Sequence, residues 1–161
     1  MKMTESVMQS VIMRYALDRK NHQLAIPNIT TMYNWESDLV SVTRADLVHE
    51  YEIKLTISDY KRDFTHKKRK HLFIENPAYH KPNYFWYVTY QIEIEPPNYA
   101  GWMTIDDNLR ISVRREAPRL HTNKIKQSDK MDIGRLLSYR LKNVYKQTYI
   151  EGWYKEKHSQ R

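Results

Sequence analysis

Five ionisable residues in two short segments could carry out chemistry together. They are Glu36 and Asp38 in the first segment, and Glu50, Glu52 and Lys54 in the second. Alternate residues of a β-strand share a face, so the three residues of the second segment would project together. A turn over 44–46 would then bring Asp38 beside them. The pattern predicts a cluster of carboxylates with one ammonium group on one side of a hairpin.

Such a cluster of carboxylates is unfavourable unless a cation compensates its charge, because like charges repel and push one group toward protonation. Mg²⁺, or Mn²⁺ in its place, prefers oxygen ligands and is commonly held by one or two carboxylates with water and phosphate oxygens. A divalent ion bound among the four carboxylates would remove this penalty, and Glu36 and Glu50 are candidates for an auxiliary acid. A bound ion would polarise a phosphate and acidify a water molecule, and Lys54 would orient that water or stabilise developing charge. This is the chemistry of phosphodiester hydrolysis.

The same residues have an alternative interpretation as the solvated face of a strand. Glu-x-Lys is a common pattern, and exposed strands often alternate charges. Adding the carboxylate of Asp38, on a preceding strand, makes the catalytic interpretation comparably good. The residues alone leave both interpretations open.

Hydrophobic periodicity predicts the elements that would position these residues. Thr4 is a cap for a first helix whose apolar face includes Met8, Val11 and Ile12. Strands are predicted over 29–33, 35–43 and 47–55, followed by a helix over 57–71 capped by Thr56 or Ser58. Further strands are predicted over 84–90, 99–105 and 109–113, and Ser128 is predicted to cap a long final helix. This order of elements is typical of a mixed α/β domain.

The composition fits one domain and excludes several kinds of site. The chain has 161 residues, of which 40% are hydrophobic, so we predict a single domain over 1–161 with roughly the last ten residues frayed. The absence of cysteine excludes disulfides, thiolate zinc sites and cysteine nucleophiles. No run approaches the roughly 20 apolar residues that cross a bilayer. We expect a soluble, cytoplasmic protein.

Basic residues are in excess, and many of them follow the candidate site. The formal net charge is +8, from 27 Lys and Arg against 19 Asp and Glu. Nucleic-acid contacts are predicted for Lys61, Arg62, Lys67, Lys68, Arg69, Lys70, Arg114 and Arg115. A solvated surface that keeps the protein in solution is the alternative interpretation of this charge. Trp102 and Trp153 would stack on bases or pack in the fold.

Three short motifs occur in succession: Glu36-x-Asp38, the Tyr-Glu-Ile-Lys strand at 51–54, and a Ser-Asp-aromatic helix start at 58–60. Asp63, Lys67 and His71 continue the pattern, as do the segments 82–88 and 99–101. In these motifs the chain resembles the PD-(D/E)XK nuclease superfamily over residues 30–105. It resembles more closely the MmcB-like DNA-repair proteins and their phage-encoded relatives.

The resemblance implies a restriction-endonuclease-like core, in which a mixed central β-sheet is flanked by helices. It also implies a metal at Asp38 and Glu52 and a catalytic lysine at Lys54. One departure is that no Pro-Asp pair precedes the Glu52 motif, and Ser37-Asp38 stands in its place.

The predicted function is that of a Mg²⁺-dependent nuclease of phage or bacterial type that acts on DNA. A homodimer is one assembly that would let such a protein cut two strands. The first alternative is a non-catalytic nucleic-acid-binding protein or inhibitor that retains the fold. The second is an interaction subunit whose basic face meets an acidic protein. DNA and RNA, and single and double strands, are equally compatible with the sequence.

Overall fold

A computed structural model of the protein describes residues 2–30, 32–33 and 35–151. Its helices are α1 (Glu5–Arg14, continued by a π-helical turn, Tyr15–Arg19), α2 (Ile57–His66), α3 (Lys68–Glu75) and α4 (Gln127–Tyr145, continued by a π-helical segment, Lys146–Glu151). Its strands are β1 (Leu24–Ile29), β2 (Ser37–Val42), β3 (Val48–Lys54), β4 (Tyr84–Tyr90), β5 (Ala100–Ile105) and β6 (Ile111–Arg115). The chain divides into two compact units, with the boundary between Ile125 and Lys126.

The first unit contains one six-stranded sheet whose strands lie in chain order, β1 to β6. β3 pairs with β4, and β4 with β5, in parallel, while the other three pairings are antiparallel. Parallel neighbours require a crossover, and α2 with α3 provides it between β3 and β4. The predicted α/β class with a mixed sheet flanked by helices is confirmed.

One strand differs from its prediction. The strand predicted over 29–33 is wrong, because β1 runs over Leu24–Ile29 and includes Pro27; residue 31 lies outside the described residues. Proline lacks the N–H that an interior strand must donate, but β1 is the edge strand of the sheet. Pro27 is tolerated there for that reason, and its presence hides the strand from a sequence pattern.

Successive side chains of each strand point to opposite faces of the sheet, and each face packs against different helices. Met8, Val11 and Ile12 of α1 pack on one face, as predicted, against Leu39, Tyr51, Ile53, Trp86 and Val88. The opposite face packs Phe85, Tyr87 and Ala100 against Ile74 of α3. Residues 50, 52 and 54 of β3 therefore lie on the face covered by α2 and α3, since 51 and 53 lie on the α1 face.

A small polar group is embedded at one end of the α1 face. The indole N–H of Trp86 donates to Nδ1 of His49 at 3.0 Å, so the proton of the neutral His49 ring is on Nε2. The His49 ring also stacks on Tyr84, with ring centroids 4.4 Å apart. Burial, with the neighbouring His22 and Lys20, lowers the pKa of His49 to about 3.

This histidine is expected to make the fold acid-sensitive. The unfolded chain binds a proton at His49 near pH 6.5, whereas the folded protein holds the ring neutral, so stability falls as pH drops below that value. We expect His49 to lower the free energy of unfolding by about 2 kcal/mol between pH 7 and pH 5. His49→Gln keeps an acceptor for the indole and does not titrate, so urea unfolding of this variant should vary less over that range. Equal pH slopes in the two proteins would contradict the prediction.

The second unit contains α4 and its π-helical continuation. Ser128 was predicted to cap this helix, but α4 begins at Gln127 with Lys126 at the cap position and no side-chain cap. Across the described residues, no helix has both the length and the apolar character needed to cross a membrane. Trp153 and the tail predicted to fray lie outside the described residues. The prediction of a single domain stays a prediction.

Candidate active site

The pairing between β2 and β3 stops short of the strand ends, and this opening creates the site. The last paired residues are Leu39 and Tyr51, although β3 continues to Lys54. The backbone N–H of Ile53 donates instead to the Asp38 carboxylate at 2.7 Å. The side chain of Asp38 therefore takes the place of a backbone acceptor and lies beside the end of β3.

Helix α1 fixes the backbone of this opening from the other face of the sheet. The side-chain amide of Gln9 donates to the Asp38 carbonyl at 3.0 Å and to the Asn28 side chain at 2.8 Å. Gln9 is only 5% exposed, so these bonds are shielded from water. The position of Asp38 is thus held by β1, β3 and α1 together.

As predicted, Glu50, Glu52 and Lys54 lie on one face of β3. That face is buried. The exposed fractions are 0% for both glutamates and 3% for the lysine. An exposed strand of alternating charges is therefore excluded. A buried carboxylate needs a compensating partner, so the question becomes which cations accompany the two glutamates.

Two consecutive helices bring those cations. Thr56 begins α2, with its hydroxyl accepting from the N–H of Asp59 at 3.1 Å. The helix predicted over 57–71 begins where expected but is not continuous, because α2 ends at His66 and α3 begins at Lys68. Lys67 joins them with a non-helical backbone (φ −104°, ψ 27°). This interruption lets Lys67 and Lys70 reach the same carboxylate: their Nζ atoms each lie 2.5 Å from one oxygen of Glu52.

Three carboxylates and three ammonium groups meet here in an arrangement that we call the ion cluster. Its members are Glu50, Glu52, Lys54, Asp63, Lys67 and Lys70. The Lys54 ammonium lies 2.9 Å from both Glu52 and Asp63, and that of Lys70 lies 2.7 Å from Glu50. Lys67 differs from the others because its side chain is 42% exposed. Positive and negative groups are equal in number, so the cluster is neutral as a whole.

The mutual contacts keep Glu52, Lys54 and Lys70 charged. Burial opposes ionisation of Glu52, but Lys70 and Lys54 outweigh it and hold the pKa of Glu52 below its usual range. Burial likewise disfavours the ammonium of Lys54, yet Glu52 and Asp63 raise its pKa. The pKa of Lys70 is raised for the same reason, by Glu50 and Glu52 against the effect of burial. Lys54 is therefore a fixed cation rather than a proton acceptor.

Asp63 holds Lys54 in place, and sequence reasoning assigned it no role. One carboxylate oxygen contacts Lys54, and the other accepts from the Tyr87 hydroxyl at 2.8 Å and lies 3.3 Å from Nε2 of His71. The Tyr99 hydroxyl lies 2.6 Å from the other nitrogen of that ring. Despite burial, the neighbouring His71 ring and the charge of Lys54 lower the pKa of Asp63. The available signal was an acidic residue on the otherwise aromatic inner face of α2.

Asp38 lies outside the ion cluster and is less well compensated. Burial and the negative charge of Glu52 raise the pKa of Asp38 to about 7, although the bond from the Ile53 N–H opposes this. Glu36, two residues earlier, is exposed, and Glu50 belongs to the cluster. The predicted ligands Asp38 and Glu52 are thus brought together, while Glu36 remains outside.

A divalent cation fits the oxygen donors of this site but has to compete with a lysine. Within residues 2–30, 32–33 and 35–151, no group of three or more His, Cys, Asp or Glu side chains is arranged to hold a metal ion. Mg²⁺, however, is commonly held by one or two carboxylates, with water and phosphate oxygens completing its shell. Asp38 and Glu52 supply such a pair. A cation there would replace Lys67, the exposed member of the ion cluster.

The remaining basic residues predicted to contact nucleic acid fall into two groups. Exposed on α2 and α3 are Lys61, Arg62, Lys68 and Arg69. Arg114 is exposed on β6 and donates to the Thr104 hydroxyl at 3.2 Å. The prediction of nucleic-acid contacts is wrong for Lys70 and Arg115. Lys70 is buried in the ion cluster, and Arg115 donates to the backbone carbonyls of Pro96, Pro97 and Ala100. Their cationic groups are bound within the protein.

Comparisons with known proteins bear on the fold alone. No protein-family model and no curated protein matches the sequence. Among solved structures, the chain is similar to a protein of unknown function from Silicibacter pomeroyi, with a TM-score of 0.64 and 12% sequence identity. The similarity covers 94% of this chain and 97% of that protein. The two proteins share a fold, and the chemistry of the site is carried by the residues described above.

Proposed function

We propose that this protein is a metal-dependent nuclease that hydrolyses phosphodiester bonds of DNA on a restriction-endonuclease-like core. The observation that carries the proposal is the opening between β2 and β3, where the Asp38 carboxylate binds the N–H of Ile53, the residue between Glu52 and Lys54. Two carboxylates beside a fixed ammonium can support this hydrolysis when a divalent cation is bound. A phosphate group and a cation would be bound together there.

In this proposal the residues of the chain bind the cation and orient the water and the phosphate. Asp38 and Glu52 would hold Mg²⁺ or Mn²⁺, which when bound supplies Lewis-acid polarisation of a phosphate and a more acidic water. Lys54 would orient that water or stabilise negative charge that develops on the phosphate. Asp63 would keep the Lys54 ammonium in position, since it lies at 2.9 Å on the side away from solvent.

The surface beside the site favours a polyanionic substrate. Four exposed cations follow the site on α2 and α3, namely Lys61, Arg62, Lys68 and Arg69. Exposed lysine and arginine side chains bind phosphates by releasing condensed counterions, and the affinity then falls steeply with salt. Such contacts position the backbone without reading its sequence.

A second candidate, a non-catalytic nucleic-acid-binding protein on the same fold, is favoured by one specific observation. Both oxygens of Glu52 are bound by lysines, at 2.5 Å from Lys67 and from Lys70. If these lysines permanently occupy the place of a metal ion, they neutralise the charge of Glu52, and the site has no metal to activate a water molecule. The proposed nuclease instead requires that the cation displaces the Lys67 ammonium from Glu52.

Cleavage of labelled DNA in Mg²⁺, Mn²⁺ or EDTA separates the two candidates. We expect cleavage by the wild type only with the metal, and a loss of about 100-fold or more in Asp38→Asn. The isosteric change keeps an acceptor for the Ile53 N–H, so the fold should be retained. Glu75→Gln, which removes an exposed carboxylate at the end of α3, is the control and should cleave normally. DNA left intact by the wild type in every metal, with salt-sensitive binding preserved, would establish the binding protein instead.

A further inference from the structure

A pocket of about 310 Å³ opens directly beside Asp38. Its other walls are the rings of Trp35 and Phe73, three cationic side chains and one further carboxylate: Lys67, Arg69, Lys70 and Glu36. No step of the proposed hydrolysis uses these rings. If the phosphate to be cleaved binds at Asp38, the neighbouring part of the substrate would lie in this pocket.

The aromatic walls are held in place before any ligand binds. The indole N–H of Trp35 donates to the buried Glu50 carboxylate at 2.8 Å. Its ring stacks on Tyr33, with centroids 5.0 Å apart and planes inclined by 17°. The Phe73 ring stacks on Tyr79, with centroids 4.3 Å apart. Rings supported from behind lose little entropy when a flat ligand stacks on them.

The charges around the pocket select what kind of flat ligand would bind. The Arg69 guanidinium is exposed and lies 5.6 Å from the centre of the Phe73 ring. The Lys67 ammonium, with its side chain 42% exposed, lies on the Glu52 side of the pocket. Flat apolar walls with cations beside them suit an aromatic ring that carries an anionic group, which describes a nucleobase joined to its phosphate.

We propose that this pocket takes one unpaired nucleobase, so that the substrate class is single-stranded or locally unpaired nucleic acid. That the bound nucleotide belongs to a substrate rests on the proposed nuclease function. Binding of the base itself does not depend on that function. In a duplex each base is stacked and paired, and it would have to leave the helix to reach Trp35 and Phe73. A single strand or a bulged nucleotide presents its base without that cost.

Binding measured in EDTA, where the proposed nuclease cannot cut, tests the pocket. The probes are labelled single-stranded DNA, the matching duplex, and the same duplex with one unpaired 2-aminopurine, whose fluorescence is quenched by stacking. Phe73→Leu removes the ring but keeps an apolar side chain, and Phe73→Tyr keeps the ring. Tyr139→Leu, which removes an exposed tyrosine of α4 in the second unit, is the control for loss of an aromatic group.

We expect the wild type, Phe73→Tyr and Tyr139→Leu to prefer the single strand and to quench the unpaired 2-aminopurine. In Phe73→Leu the affinity for the single strand should fall about 5- to 100-fold, the effect of losing one stacked base, with duplex binding unchanged. Equal affinities of the wild type for single strand and duplex would overturn the inference, as would equal losses for both in Phe73→Leu.

Cleavage assays with Mg²⁺ distinguish this inference from the proposed function. Metal-dependent cleavage by a protein whose Phe73→Leu variant binds single strands normally would overturn the pocket and leave the nuclease intact. A single-strand preference that depends on Phe73, in a protein that never cleaves, would support the pocket and overturn the nuclease.

Discussion

Replacing Lys70 with Met is expected to lower the free energy of unfolding by about 3–5 kcal/mol, the usual effect of removing one partner from a buried ion pair. The Lys70 ammonium contacts Glu50 at 2.7 Å and Glu52 at 2.5 Å, and its side chain is 2% exposed. Without it, Glu50 keeps only the Trp35 N–H among the contacts described, and its charge is left in an apolar environment. Urea denaturation of the two proteins at neutral pH measures the difference.

Two further variants show whether the lost stability comes from charge. Glu50→Gln in the Lys70→Met background removes the uncompensated negative charge and keeps an acceptor for the Trp35 N–H, so at least half of the lost stability should return. Lys68→Met changes an exposed lysine two residues away on the same helix and should alter stability by less than about 0.5 kcal/mol. If the double variant is no more stable than Lys70→Met, packing of the lysine stem matters more than its charge.

Replacing Lys54 with Met is expected to slow metal-dependent DNA cleavage about 100- to 1,000-fold, the usual effect of losing one group that stabilises developing charge. Methionine is close to lysine in length, so it fills the space between Glu52 and Asp63 without an ammonium. DNA binding in EDTA should be nearly unchanged, because Lys54 is 3% exposed and lies beneath the surface cations. Initial rates of cleavage and anisotropy of labelled DNA measure the two effects separately.

The control for this prediction is Lys61→Met, which removes an exposed lysine from α2. That change should weaken binding slightly and reduce its salt dependence while the bound DNA is cleaved normally. Urea denaturation should accompany both assays, because Lys54→Met also leaves Glu52 and Asp63 with one cation fewer. A folded Lys54→Met protein that cleaves at the wild-type rate would rule out a catalytic part for this lysine.

The ion cluster connects stability to the proposed catalysis. The lysines that contact Glu52, Glu50 and Asp63 allow these three carboxylates to be buried. Lys67 is the member with access to solvent, so a cation or a phosphate would reach the site on its side. The same side leads to the pocket that Trp35 and Phe73 line together with Lys67 and Arg69. Cation, phosphate and base would thus approach from one direction.

Several features of this protein were determined by the sequence itself, because they depend on neighbouring residues. The alternation of residues 50–54 places Glu50, Glu52 and Lys54 on one face of β3, since the period of a strand is two. Thr4 and Thr56 start α1 and α2 because a threonine hydroxyl satisfies an N–H of the first helical turn. The order of strands and helices followed from hydrophobic periodicity for the same local reason.

Only the tertiary structure decided which charges meet. Lys67 and Lys70 contact Glu52 across 15 and 18 residues of chain, a separation at which no sequence period operates. The sequence shows a basic segment over 67–70, but folding divides it: Lys70 is buried against carboxylates, while Lys68 and Arg69 face solvent. The β2–β3 opening is decided in the same way, by Asp38 accepting from the Ile53 N–H. Burial makes an uncompensated charge unfavourable, so the fold selects the partners that lie within reach.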